Sequence, residues 1–200
     1  MRASKRQQLV DKAGELFSRH GFHPVGIDWI LDASDVARMT LYRHFTGKDD
    51  LIKEVLEQRY TFIMGSIATK LASRPDATER LKGVFDWYET WFRSPEFAGC
   101  LFERALAEFG EMCPEVTNVA VRYRNDLLLM IETLLREIIP PGQAHQLAGI
   151  YVILLSGATT DARTVGDPKA AGRAWRAALA LLNQAKTTAI TARKASHHPV

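Results

Sequence analysis

Apolar residues recur three and four positions apart along almost the whole 200-residue chain, and the alternation that a half-buried strand needs is nearly absent. A chain with that period folds as packed helices, and Gly and Pro divide it into segments. Leu9, Ala13, Leu16 and Phe17 define a first helix of about four turns, which stops at Gly21, a residue suited to closing a helix. The spacing predicts a second, short helix over Ile27–Ser34 that buries Ile27, Ile30 and Leu31. A third lies within residues 36–48, with Val36 and Leu41 facing inward. From about Lys48 a long fourth helix carries Leu51, Val55, Leu56 and Ile63 as its buried stripe.

Beyond Arg74-Pro75 the apolar faces become aromatic. Leu81, Val84, Phe85, Tyr88 and Trp91 mark a helix that closes at Ser94-Pro95, because the residue before proline disfavours the helical region. Further helices are expected over Phe97 to Phe109, Pro114 to Ile139, Ala144 to Arg163 and Lys169 to Thr191, with Pro140-Pro141-Gly142 as a stop. The fold class is therefore all-α, with about nine helices. Arg193 to Val200 carries no packing pattern and is expected to be a disordered tail.

At 46% hydrophobic residues the chain can build one substantial core, or a large core with a small appended domain. No apolar run approaches the roughly 20 residues needed to span a bilayer, and no apolar stretch follows the charged start. The expectation is a cytoplasmic protein with no membrane partner. Cys100 and Cys113 lack metal-ligand spacing, which argues against a zinc site or a disulfide framework. Cys100 lies near an expected helix start, where the helix dipole lowers a thiol pKa, whereas burial, the ordinary fate of a free Cys, raises it. His20, His23, His44 and His145 have no evident nucleophile or metal-spaced partner, and no Gly-rich phosphate loop is present. The sequence gives no reason to expect an enzyme or a cofactor.

Net charge is +3, which permits nucleic-acid binding without requiring it. Distribution says more. Arg2, Lys5 and Arg6 precede the first helix with no acidic residue among them, while Asp28, Asp32, Asp35, Asp49 and Asp50 make the following stretch mixed. Binding to DNA here needs placed cations rather than bulk positive charge. The segment 36–48 supplies them: Arg38 is a base-edge donor, Thr40 and Tyr42 bring hydroxyls, and Arg43, His44 and Lys48 are cationic or potentially so.

A short helix, a tight turn and a second short helix, packed on a preceding helix, make a helix-turn-helix. Within that frame, Leu16-Phe17, Gly21-Phe22, Ile30, Ala33, Val36, Thr40-Leu41-Tyr42, His44-Phe45, Lys48 and Leu51 resemble the N-terminal signature of TetR (tetracycline repressor) family regulators. The resemblance implies a DNA-binding domain over residues 1–47 and a ligand-binding and dimerisation domain over 48–192. It also implies roles. Arg38 and Met39 would face base edges, Thr40, Tyr42 and His44 would lie along the backbone, Lys48 would add a phosphate contact, and Arg43 is a further DNA-binding candidate. Phe45 reads as packing.

Three positions depart from the family pattern. Gly26 stands where the second helix usually begins with Thr or Ser, leaving only backbone amides for phosphate. Asp35 replaces the usual turn Gly, and Ala37 replaces the hydroxyl cap of the recognition helix. Asp35 is the candidate substitute cap.

The family's second domain usually binds a small molecule that changes the spacing of two recognition helices. Rings crowd the corresponding segments here, and Trp87, Tyr88, Trp91, Phe102 and Tyr123 are the candidate contacts to an apolar or aromatic effector. Glu103, Arg104, Glu108, Arg122, Arg124, Asn125 and Asp126 are the polar residues near these aromatic helices; one or two could point into a cavity, and the ordinary reading is a solvated face or interhelical pairs. Small residues (Gly149, Ser156, Gly157, Ala158, Ala170, Ala171, Ala174, Ala177, Ala178, Ala180) let the last two helices approach closely, and Ile150, Ile153, Leu154, Leu179 and Leu182 provide apolar area. Those helices suit a homodimer that reads a palindromic operator in double-stranded DNA, although the same residues also suit packing within one chain. The expected function is a sequence-specific regulator, most simply a ligand-released repressor. An architectural or cell-cycle DNA-binding protein without a metabolite is the alternative.

Overall fold

The computed structural model describes residues 4–195, and among them are nine α-helices and no strand. The helices are α1 (Lys5–His20), α2 (Ile27–Ser34), α3 (Arg38–His44), α4 (Lys48–Ala72), α5 (Ala77–Phe92), α6 (Leu101–Phe109), α7 (Pro114–Arg136), α8 (Pro141–Val165) and α9 (Ala170–Ala195). Of the expected tail, residues 193–195 belong to α9 and residues 196–200 lie outside the described residues.

Several boundaries differ from the sequence reading: α7 ends at Arg136 rather than Ile139 and α9 runs to Ala195 rather than Thr191, and the starts of α6 and α8 shift for identifiable reasons. Helix α6 starts at Leu101 rather than Phe97, because the chain first turns through Phe97 N donating to Ser94 O at 3.0 Å and then through Gly99 at φ 95. Helix α8 starts at Pro141, three residues before the expected Ala144. Pro141 ends nothing there. Proline at the first helical position has its φ already set and no N–H to leave unpaired, so Pro141 opens α8, while α7 has already ended at Arg136.

The chain divides into two compact units. The first runs through residue 64 and adds residues 98–123, so α6 and the start of α7 pack with α1–α3 and the first part of α4. Its core is fully buried Leu9, Ala13, Phe17, Phe22, Ile30, Leu41, Leu51 and Leu56. The second unit holds residues 65–97 and 124 onward, in which α5, α8 and α9 pack together. Phe85 lies between Tyr151 and Trp175 at centroid distances of 5.7 and 5.4 Å, and the Tyr151 hydroxyl donates to Ala178 O at 2.7 Å. Burial pushes the pKa of that phenol up, which keeps it a neutral donor fastening α8 to α9. No helix among the described residues is long and apolar enough to cross a membrane.

Candidate nucleic-acid interface

Helices α2 and α3 are short, and α1 supplies the surface both pack on. Between them Asp35 takes the left-handed conformation at φ 51, ψ 46, which Asp tolerates because its short polar side chain relieves some of the steric cost. Lys5 Nζ donates to Asp35 O at 3.1 Å and ties the turn to the start of α1. Arg6 is committed as well. Its guanidinium bonds Glu54 at 3.0 and 2.8 Å and lies 5.2 Å from the Phe45 ring centroid, and this bond holds the Glu54 carboxyl below its usual range. The basic start of α1 thus braces the motif internally, and Phe45 is buried as packing.

Helix α3 buries Leu41 alone and turns the rest outward. Met39 is 74% exposed and Tyr42 47% exposed, Arg38, Arg43 and His44 are exposed, and Thr40 is half-buried. Arg38 makes an ion pair with Asp28 of α2. Lys48 is half-buried, donates to His23 O at 3.3 Å, and has its pKa lowered by burial, so it fastens the segment before α2 as well as standing at the start of α4.

The α3 N-cap is Ala37, with no side-chain cap bond, so Asp35 does not substitute for the missing hydroxyl. Asp35 is spent on closing α2, two residues too early to reach the α3 amides. Gly26 likewise caps α2 without a side chain and has open space around a Cβ. Ala37→Ser is expected to raise stability by about 0.5–2 kcal/mol, and to slow amide exchange in residues 38–42. Thermal melts and hydrogen exchange on the purified protein measure both.

One set of site-supporting contacts was not foreseeable from local pattern. The Glu108 carboxylate accepts from Phe22 N and His23 N, both at 2.9 Å, and the His23 ring lies 2.9 Å from Glu108 O. Arg104 Nη1 donates to Phe17 O at 2.9 Å and Ser18 O at 3.3 Å, capping the end of α1. Gly21 sits between them at φ 90, where a Cβ would lie 2.8 Å from Glu108 Oε1. These bonds join residues 85 to 87 apart in sequence, beyond the reach of any motif.

The five aromatic effector candidates form two groups. Phe102 stacks on Tyr123 in the first unit, with centroids 4.1 Å apart and an 18° interplanar angle. Trp87, Tyr88 and Trp91 pack mutually in the second, with Trp87 Nε1 donating to Ser66 Oγ at 2.8 Å. Arg122 pairs with Glu57 and lies 4.6 Å from the Tyr60 ring centroid, an interhelical contact. Cys100 caps α6 without a side-chain bond, and burial pushes its thiol up to about 12, the reverse of the activation a helix dipole would give. No cluster of His, Cys, Asp or Glu able to hold a metal occurs among the described residues.

A two-helix reader presenting an exposed, cation-bearing short helix, braced by a first helix and carried on an all-helical body, defines a helix-turn-helix DNA-binding protein. Residues 9–55 match the family model described as bacterial regulatory proteins, tetR family, and residues 77–178 match the tetracyclin repressor-like C-terminal domain. A TetR-family transcriptional regulator from Streptomyces coelicolor has a similar structure, with a TM-score of 0.85 and 30% identity, over 91% of this chain and 96% of that one. Among curated proteins, the HTH-type transcriptional activator FasR of Mycolicibacterium smegmatis is 32% identical over 92 residues, covering 44% of this chain and 42% of FasR. The HTH-type transcriptional repressor KstR2 of the same species is 28% identical over 83 residues, covering 42% of this chain and 40% of KstR2. The chain spans less than half the length of these two relatives. It belongs to the TetR family and is a DNA-binding transcriptional regulator.

Proposed function

We propose that this protein acts in the cytoplasm as a homodimeric repressor that binds a palindromic operator and is released by a small apolar or aromatic ligand. The observation that carries the DNA half is the exposed face of α3, where Arg38, Met39, Tyr42, Arg43 and His44 project while Leu41 anchors the helix. Arg38 and Met39 read base edges in the major groove, Thr40, Tyr42, Arg43 and His44 hold the backbone, and Gly26 and Lys48 flank them at the starts of α2 and α4. Residues 1–47 do the reading, and residues 48–192 provide the effector site and the dimer.

Dimerisation uses α8 and α9. Ala158, Ala170, Ala171, Ala174, Ala178 and Leu182 are buried within the chain, so they serve its own packing. Ile150, Ile153 and Gly157, at i, i+3 and i+7 on α8, are exposed, as are Ala177 and Ala180 on α9. Apolar area beside small residues suits two copies meeting as a four-helix bundle. Pairing two α3 helices then sets half-sites one helical turn or a multiple apart.

The rings of Trp87, Tyr88 and Trp91, or the Phe102–Tyr123 stack, receive the ligand. Their packing on one another also favours a filled core, and with it the alternative of an architectural DNA-binding protein without a metabolite. A thermal-shift screen of apolar and aromatic compounds separates these readings, the first requiring a compound that both raises Tm and lowers DNA affinity. For the DNA half, Arg38→Ala is expected to erase preference at one base pair per half-site, costing about 1–3 kcal/mol there. Equal weakening on every sequence would make Arg38 a backbone contact instead.

A further inference from the structure

Arg38 does not project alone. Its guanidinium pairs with the carboxylate of Asp28, the second residue of α2, and both side chains are largely solvent-exposed, at 55% and 76%. Neither is buried against anything that forces the pairing, and the two belong to different helices of the motif. Asp32, Asp35 and Lys5 line the same surface groove as Asp28 and Arg38, so three carboxylates stand against two cations beside α3. A carboxylate there opposes the phosphate attraction that supplies sequence-neutral affinity. It therefore needs a compensating role, and the arginine fork offers one: with one amino group held by Asp28, further N–H donors remain for a guanine edge.

Resting on the assignment of Arg38 to base reading, we infer that Asp28 is a positioning residue that sets operator specificity by fixing the Arg38 guanidinium in its reading orientation. The carboxylate does this twice over. It restricts a long, rotamer-rich side chain before DNA arrives, and it penalises placements in which Arg38 leaves it for a nearby phosphate. When Arg38 engages a guanine from within the pair, both interactions persist. When the base pair is wrong, Arg38 must either stay unmatched or abandon Asp28. Discrimination thus comes from the cost imposed on the wrong sequence as well as from the contact to the right one.

A purely structural role for Asp28 is the competing account, since a carboxylate in the first turn of a helix interacts favourably with the helix dipole. The two roles separate in one experiment. Full-length wild type, Asp28→Ala, Asp28→Asn, Arg38→Ala and the Asp28→Ala/Arg38→Ala double variant are each used to select from a duplex library with a randomised core, with thermal melts run alongside. The base pair whose preference disappears in Arg38→Ala is the one Arg38 reads. At that pair, both Asp28 variants are expected to lose at least about fivefold preference, the lower end of what one bidentate contact contributes. Their binding to unselected duplex is expected to stay equal or rise. In the Arg38→Ala background, Asp28→Ala is expected to change no preference. Full preference retained in both Asp28 variants, with lower Tm and uniformly weaker binding, would overturn the assignment in favour of the helix-dipole role. An equal loss with and without Arg38 would overturn it too. If Arg38→Ala itself keeps every preference, the base-reading role of Arg38 has failed first, and that result is distinguishable from the other two.

Discussion

Phe22→Ala is expected to cost about 3–5 kcal/mol of stability and to abolish DNA binding at temperatures where the wild type is fully folded. Phe22 is fully buried, with its ring 5.1 Å from that of Phe17 and 5.5 Å from that of Phe109, so it joins the end of α1 to the end of α6. Truncation removes the transfer free energy of the ring and leaves a cavity that the surrounding helices fill only in part. Total stability of a domain is about 5–15 kcal/mol, so one such loss is a large fraction of it. The DNA effect follows from position. The Phe22 and His23 amides are held by Glu108, and His23 O holds Lys48, so disturbing Phe22 loosens the segment that leads into α2. Chemical denaturation and a binding assay on the same preparation report the two effects, and a variant of unchanged midpoint would contradict the packing described.

Ile153→Glu is expected to convert the protein to a monomer at micromolar concentration and to lower affinity for the full operator by a factor of about 10³ or more, toward sequence-neutral binding. Ile153 is 62% exposed and Ile150 41% exposed on one face of α8, with Gly157 a turn further along. Within a single chain a substitution at so exposed a position changes stability by no more than about 0.5 kcal/mol. In a two-fold bundle the same side chain meets its counterpart or a near neighbour, where a glutamate must be desolvated beside apolar atoms and opposite a second glutamate. Sedimentation at several concentrations reads the association state directly. A variant that stays dimeric, with undiminished operator affinity, would remove α8 from the interface.

The fold was largely legible because each helix is written locally. Helix α2 occupies the expected Ile27–Ser34, since its apolar spacing is bracketed by Gly26 and Asp35. The starts of α6 and α8 were displaced because one depended on a positive φ at Gly99 and the other on a proline serving as opener rather than stop. The exposed, cation-bearing face of α3 was legible from residue type and spacing. Their supports were not: Glu108, Arg104 and Lys48 act on α1 and the segment before α2 through bonds whose sequence separations follow no helical period. Asp28 read as one of several acidic residues diluting a basic face, and only the folded geometry pairs it with Arg38. The aromatic residues were correctly read as dense, but density along the sequence does not say which rings meet, and they sort into two separate groups.

The central claim, that α3 of a two-fold dimer reads a specific operator, is tested most directly by selecting bound fragments from the source genome with purified wild-type protein and with Arg38→Ala. The account predicts that wild type enriches fragments sharing a two-fold symmetric sequence whose half-sites lie one helical turn or a multiple apart, and that Arg38→Ala loses this enrichment while remaining folded. Enrichment of fragments without a symmetric sequence, or the same set recovered by Arg38→Ala, would contradict it.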